Sequence, residues 1–217
     1  MFPFPFGFIG SGEVIPDLEL ISNDYAMEFN GTDEYTSAPN SMSALTGLSV
    51  SAWVKPTATG TGAAEAILST EAASPNRGFY LSLFVGSEFR WQVSTDGSNK
   101  DSLDAGTIVL NEWTHIAATW NQSTMNLYVN GSLADTMSTV NATGTFSTTN
   151  NIFIGQRTSG AGFFPGDIDE VAIWNKALEL ADVQTIYNST NNNPGKCANL
   201  FTGGLGSGLV YWNRMGD

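Results

Sequence analysis

What most narrows the folds open to this chain is a period of two in its apolar residues. In "LSVSAWVKP" Leu48, Val50, Ala52 and Val54 share one face and Ser49, Ser51 and Lys55 the other, and "YAMEFNG" sets Tyr25, Met27 and Phe29 on one side. Side chains alternate across a strand, so each stretch predicts a half-buried β-strand. The pattern returns in Phe79, Leu81, Leu83 and Val85 and in Phe89, Trp91 and Val93, with Gly86-Ser87 as a tight turn between them. Asn130-Gly131 has the positive-φ chemistry of a type I′ turn and predicts a hairpin joining Met125–Val129 to Leu133–Met137. Strands at roughly ten-residue spacing, separated by Gly, Asn, Ser and Thr, point to an all-β, two-sheet antiparallel jelly-roll sandwich. One segment departs from the rule. Leu180, Val183, Ile186 and Tyr187 recur at helical intervals and predict a single short C-terminal helix.

A chain of 217 residues supports one well-filled core. We divide it into an apolar Phe/Pro arm at 1–20, the sandwich at 21–190, and an Asn- and Gly-rich C-terminal extension at 191–217 that reads as a linker. Only 8 Lys and Arg face 21 acidic residues, and a formal charge of −13 excludes nucleic acid, which demands clustered cations. No window approaches the roughly 18 apolar residues of a membrane span, so membrane insertion is not expected. Cys197 is the single cysteine, which rules out an intrachain disulfide and reads as an incidental loop thiol.

The stretch "GDIDEVAIWNKAL" sets Asp167, Asp169 and Glu170 beside large apolar residues. On a regular strand Asp167, Asp169, Val171 and Ile173 share one face, and Ile168, Glu170, Ala172 and Trp174 the other. Each face then carries an acid, which is costly at an apolar margin unless the acid is paired or metal-bound.

Taken in order, "MEFNGTDEYTSAP", "LSVSAWVKP", "EWTHIAATWN", "LYVNGSLADT", "IFIGQR" and "GDIDEVAIWNKALELADVQTIYN" resemble the laminin-G-like, concanavalin-A-like jelly-roll family over about residues 21–190. The resemblance implies a sandwich of about a dozen strands that binds ligands or adheres, often with structural Ca²⁺, and in some relatives hydrolyses glycosides. Hydrolysis needs two carboxylates, roughly 5–5.5 Å apart for retention or 6.5–9.5 Å for inversion. Catalytic relatives set them on one strand as Glu-x-Asp-x-x-Glu, whereas here Ala172 or Ile173 occupies the second glutamate position. The chain is therefore read as non-enzymatic. His115, in "WTHIAATW", is read as structural.

The family also places the first strand beside the last. Asn30, Gly31 and Asp33 at the end of one, with Asp169 and Glu170 on the other, are then a candidate Ca²⁺ set, since Ca²⁺ accepts about six to eight oxygen ligands. The alternative is that these acids cap loops. Trp53, Tyr80, Phe163 and Phe164 are candidate ligand-binding aromatics, with rim or core packing as the alternative. In the arm, Phe2, Phe4, Phe6, Phe8 and Ile9 are spaced by Pro3 and Pro5, and exposed apolar residues of this kind call for a docking partner. The "SGLVYWNRMGD" end resembles segments that introduce further laminin-G-like units in proteins of marine bacteriophages and related bacteria. The expected function is a virion surface decoration or fibre protein, present in repeated copies or as a homo-oligomer. Its arm would dock other virion subunits and its sandwich would bind a host-surface glycan. A secreted bacterial carbohydrate-binding or adhesion module at the cell surface is the alternative, and a glycoside hydrolase the third reading.

Overall fold

Alternation becomes strand pairing throughout the chain. The computed structural model describes residues 17–217 except 41, 62–63, 139 and 158–159. In chain order the strands are β1 Leu20–Ser22, β2 Met27–Asn30, β3 Thr36–Ala38, β4 Leu48–Pro56, β5 Ala66–Ser69, β6 Phe79–Phe84, β7 Glu88–Val93 and β8 Asp101–Ala105. They continue with β9 Thr114–Trp120, β10 Met125–Val129, β11 Ser132–Met137, β12 Ile152–Ile154 and β13 Pro165–Trp174, followed by helix α1 Leu180–Asn191, β14 Lys196–Ala198 and β15 Leu209–Asn213. One sheet has the order β11-β10-β9-β4-β13-β15 with β2 also paired to β13, and the other the order β3-β12-β5-β6-β7-β8. A two-stranded ribbon pairs β1 with β14.

The alternating apolar residues of both sheets meet in one cluster. Val50, Ala52, Val54, Ile116, Ala118 and Trp120 of the seven-stranded sheet pack with Phe79, Leu81, Leu83, Phe89, Trp91 and Val93 of the six-stranded one. Each of these side chains of valine size or larger contributes roughly 1.5–3 kcal/mol when fully buried. The Asn130-Gly131 turn has φ of 49° and 73°, the mirror-image conformation expected of that dipeptide, and it joins β10 to β11. Helix α1 lies on the outer face of the seven-stranded sheet, where Val183 and Ile186 pack against Ala117, Tyr128, Ala172 and Trp174. Glu179 N–H donates to Asp182 Oδ2 at 3.3 Å, which satisfies one donor where the helix begins.

Two expectations need correction. Residues 191–217 are no linker, for β15 pairs with β13, β14 pairs with β1, and Trp174 Nε1 donates to Leu205 O at 2.8 Å. Composition misleads here because the Gly- and Asn-rich stretches flank or carry Cys197, Ala198, Leu200 and Leu205, each 3% exposed or less. Cys197 accordingly lies on a strand and not in a loop, and burial, with Glu170 nearby, pushes its thiol pKa up to about 12. Of the arm, residues 17–20 are described. Phe2, Phe4, Phe6, Phe8 and Ile9 lie outside the described residues.

Strand β13 also departs from strict alternation. Asp169 pairs with Trp53 and Ala172 with Ser51, so one extra residue on β13 faces β4, and Glu170 takes a φ of 50°. This β-bulge puts Ile168 and Val171 in the same core cluster, where a regular strand would hold them on opposite faces.

Candidate functional site

The bulge opens onto a gap in the sheet. β4 occupies one edge of β13 along most of its length, while β2 pairs with residues 165–168 of the other edge and β15 with 171–174. Asp169 and Glu170 therefore sit where neither neighbour reaches, and side chains from both ends of the described chain fill that place. Glu170 Oε2 accepts from Trp212 Nε1 at 2.7 Å and Oε1 from Arg214 Nε at 3.2 Å. Arg214 also donates to Ser22 O and pairs with Asp217 at 3.4 Å, and Asp217 Oδ2 accepts from Asp24 N–H at 2.8 Å. Burial raises the pKa of Glu170, with its hydrogen bonds and Arg214 opposing the rise. This cluster is a structural clasp.

Asp169 faces a cavity of about 410 Å³ instead. Its Oδ1 accepts from Glu170 N–H and its Oδ2 from Asn23 Nδ2, at 2.8 and 2.9 Å. Burial pushes its pKa up to about 7 against the lowering effect of the Asn23 bond. Asn23 Oδ1 is buried with no hydrogen-bond partner among the described residues. Trp53, Trp113 and Tyr25 supply aromatic surface to the cavity, and Asn191 and Thr190 at the end of α1 add an amide and a hydroxyl. Tyr25 and Trp113 are 67% and 42% exposed, so their rings are open to solvent. Trp53 is held in place by stacking on Tyr187, with centroids 5.8 Å apart, and by a tilted contact with His115 at 5.3 Å. Aromatic faces beside a few convergent polar groups suit a ligand with both C–H surfaces and hydroxyls.

His115 is not a catalytic base. Its Nε2 lies 2.9 Å from Ser51 Oγ, but both groups are buried, and burial pulls the imidazole pKa down to about 3. No carboxylate orients the ring, for Nδ1 has no partner among the described residues.

The expected calcium set is not brought together. Asn30 pairs with Pro165, and Asp169 lies four residues farther along β13, roughly 13 Å away at about 3.3 Å per residue. Asn30 Nδ2 donates to Asp33 Oδ1 at 2.8 Å, while Asn30 Oδ1 accepts from Thr32 and Asp33 N–H, so this turn is closed on itself beside Gly31. Asp169 and Glu170 are engaged elsewhere, and no group of three or more acidic, His or Cys residues among those described could hold a metal ion.

Of the four candidate aromatics, Trp53 reaches the cavity. Phe164 is fully buried in the core, and Phe163 is half-buried beside Gly162 and Pro165. Tyr80 is buried on the outer face of the six-stranded sheet, beneath the Arg157 guanidinium at 5.3 Å. Trp113 and Asn23 were missed by sequence reasoning because they lie between strands, where alternation says nothing, whereas Tyr25, expected with Met27 and Phe29 on the apolar face of a strand, lies before β2 and is 67% exposed. The run "NDYAM" after a short apolar stretch was the only available signal.

Residues 30–184 match the family model described as the concanavalin A-like lectin/glucanases superfamily. No curated protein matches the chain. Among solved structures, a native heptameric SAP-like pentraxin from Limulus polyphemus superposes with a TM-score of 0.59 at 21% identity, with 94% of each chain covered. A protein of Bacteroides ovatus ATCC 8483 whose name proposes carbohydrate binding gives a TM-score of 0.68 at 14% identity, with 91% of this chain and 53% of that one covered. Domain 4 of an extracellular arabinanase from Geobacillus stearothermophilus, solved with arabinotriose, gives 0.58 at 20% identity, with 77% of this chain and 80% of that one covered. At these identities the likeness establishes the fold.

Proposed function

Because the chain belongs to the concanavalin A-like lectin/glucanases superfamily, we propose that it is a non-catalytic saccharide-binding module whose ligand sits in the cavity between Trp53, Trp113 and Asp169. The carrying observation is the conjunction of solvent-open aromatic rings with a carboxyl group and the partnerless Asn23 Oδ1 in one cavity. A pyranose or furanose ring would lay its C–H face on Trp113 and offer hydroxyls to Asp169 and Asn23. Solved relatives named for binding a carbohydrate, or crystallised with one, support this reading. Titration of the full chain against a panel of neutral oligosaccharides tests it. At least one should bind, and Trp113→Ala should weaken that binding at least tenfold without unfolding the chain. Failure of the whole panel to bind would overturn the proposal.

The finer part concerns where the module works. The Phe/Pro segment at 1–12 supports display in repeated copies on a virion surface, since Phe2, Phe4, Phe6, Phe8 and Ile9 offer roughly 1.5–3 kcal/mol each on docking to a partner subunit. A bacterial cell-surface or secreted adhesion module is the alternative setting. Deleting 1–12 should leave the melting temperature unchanged and remove the protein from its particle. A deletion variant that still assembles would exclude the docking role.

Hydrolysis stays open as a second reading on one observation. Asp169, with its pKa near 7, shares the cavity with Asp24, and a protonated acid near a second carboxylate is the equipment of a glycosidase. Reducing-end release from bound saccharides, lost in Asp169→Asn, would establish it. Binding without release supports the module.

A further inference from the structure

Strand β15 is an outer strand of the seven-stranded sheet, pairing with β13 on one edge and with no strand on the other among the described residues. An open edge presents unpaired N–H and C=O groups and invites a further strand unless charge or shortness discourages it. The other outer strands of the sandwich are guarded in one of those ways. β2 carries Glu28, β8 carries Asp101 and Asp104, β11 carries Asp135, and β3 has three residues. β15 runs Leu-Val-Tyr-Trp-Asn and carries no charge.

An apolar groove lies against the same strand. Phe201, Leu209, Val210, Tyr211, Trp212 and Arg214 line a cavity of about 350 Å³, in which Phe201 is 72% and Val210 40% exposed. The Phe201 ring meets Trp212 edge-on, with centroids 5.4 Å apart. Arg214, the single charged residue of this lining, is already held by Glu170 and Asp217. The groove therefore suits an uncharged, apolar occupant.

The chain carries such a segment, and it begins beside the groove. Leu18 packs on the cluster that holds Leu200 and Leu205, Glu19 N–H donates to Thr202 Oγ1 at 2.9 Å, and Asn199 N–H donates to Glu19 O at 2.8 Å. Asp17 thus stands next to the turn that bears Phe201. Residues 1–16, outside the described residues, precede it and span up to roughly 50 Å when extended. Residues 1–12 contain no charged side chain, and Phe2, Phe4, Phe6 and Phe8 alternate with Pro3, Pro5 and Gly7.

Along a strand the side chains alternate between faces and the N–H groups between edges, so the four rings would share one face and the two missing proline donors one edge. Phe4, Phe6 and Phe8 keep their N–H groups for the other edge. A strand of this pattern joins a sheet on one side and closes it to further addition on the other. A net charge of −13 on every copy opposes close contact of the folded bodies, but this repulsion is screened beyond about 8 Å at physiological salt, well within the reach of an uncharged arm.

We infer that residues 2–9 of a second copy of this chain add as a strand along the open edge of β15 and lay their phenylalanines into the groove at Phe201 and Val210. This rests on the display in repeated copies proposed above and names the surface that receives the arm. An arm passed from each copy to the next is a heterologous contact, which builds rings or filaments.

Size-exclusion chromatography with light scattering on the full chain tests it, using two complementary variants. One lacks residues 1–12 and keeps the groove, and the other, Val210→Asp, keeps the arm and places a charge in the groove. The unaltered chain should self-associate, each variant alone should be monomeric, and their mixture should form a one-to-one complex. Phe201→Asp, at a more exposed position, should behave as Val210→Asp does, and circular dichroism shows that each variant is folded. Trp113→Ala should self-associate like the unaltered chain, so saccharide binding and assembly can fail separately. A monomeric unaltered chain, or a mixture that forms no complex, overturns the inference. If the isolated chain is monomeric yet deleting 1–12 still removes it from its particle, the arm docks a different subunit, and the inference falls while display in repeated copies stands.

Discussion

Asp169 Oδ2 accepts a hydrogen bond from Asn23 Nδ2 at 2.9 Å, while the other end of the same amide, Asn23 Oδ1, is buried without a partner. That donated bond favours the ionised carboxylate, and burial, the larger effect, raises the pKa of Asp169 against it.

A dependence of stability on pH follows. The carboxyl ionises near 4 in an unfolded chain and at about 7 in the folded one, where burial disfavours its charge. Its contribution is present in full below the unfolded value and is lost as pH rises through about 7. Asp169→Asn removes the charge and keeps the shape. It should stabilise the chain at pH 8 by a few kcal/mol, at about 1.4 kcal/mol per pKa unit, with the gain vanishing near pH 4. Melting temperatures across that range decide the matter, and a variant less stable than the unaltered chain at pH 8 would refute the account.

His115 should act with the opposite sign. Burial holds it neutral down to about 3, whereas an unfolded histidine takes up its proton near 6.5. Stability on this account falls as pH drops from about 6.5 to 3. The stability advantage of the unaltered chain over His115→Gln should therefore shrink steadily between pH 7 and pH 4 in denaturant titrations. A constant difference would mean that the imidazole does not titrate with unfolding.

The clasp at Glu170 makes Arg214 a stability residue. Arg214→Ala would leave a carboxylate that is 7% exposed without its cation, a loss of about 3 kcal/mol. The double variant Arg214→Ala with Glu170→Gln should recover part of that loss, since no buried charge remains. Equal destabilisation in the single and double variants would show that the ion pair contributes little beyond packing.

The two tryptophans of the cavity should separate binding from folding. Trp113 is 42% exposed, so Trp113→Ala should shift the melting temperature by no more than about 2 °C while weakening saccharide binding at least tenfold. Trp53, packed between His115 and Tyr187, should cost about 3–5 kcal/mol when truncated to Ala. Isothermal titration and thermal melts on the same preparations check both, and a Trp113→Ala variant that unfolds would undo the distinction.

Alternation along single strands, the Asn130-Gly131 turn and the helical spacing from Leu180 to Tyr187 are local properties, readable one segment at a time. They were enough to determine a two-sheet sandwich with one helix, and the inward or outward facing of Val50, Trp53, Leu81 and Tyr80. The candidate site was legible only in fragments. Trp53 and Asp169 could be singled out, but not that Asn23, 146 residues away, would meet Asp169, nor that Arg214, 44 residues on, would meet Glu170.

Those meetings depend on where β2 and β15 stop along one edge of β13 and on the single extra residue of its bulge. Shifting the strand pattern by one residue at Glu170 turned two acids expected on opposite faces away from the core, and the register of β2, with Asn30 opposite Pro165, separated Asp169 from Asn30. Local sequence determined which segments are strands and which face of each is apolar, because both follow from side chains two positions apart. Register, the bulge, and the burial that moves Asp169 toward a neutral pKa were decided by tertiary structure, because each is an energy shared between segments that the chain brings together only on folding.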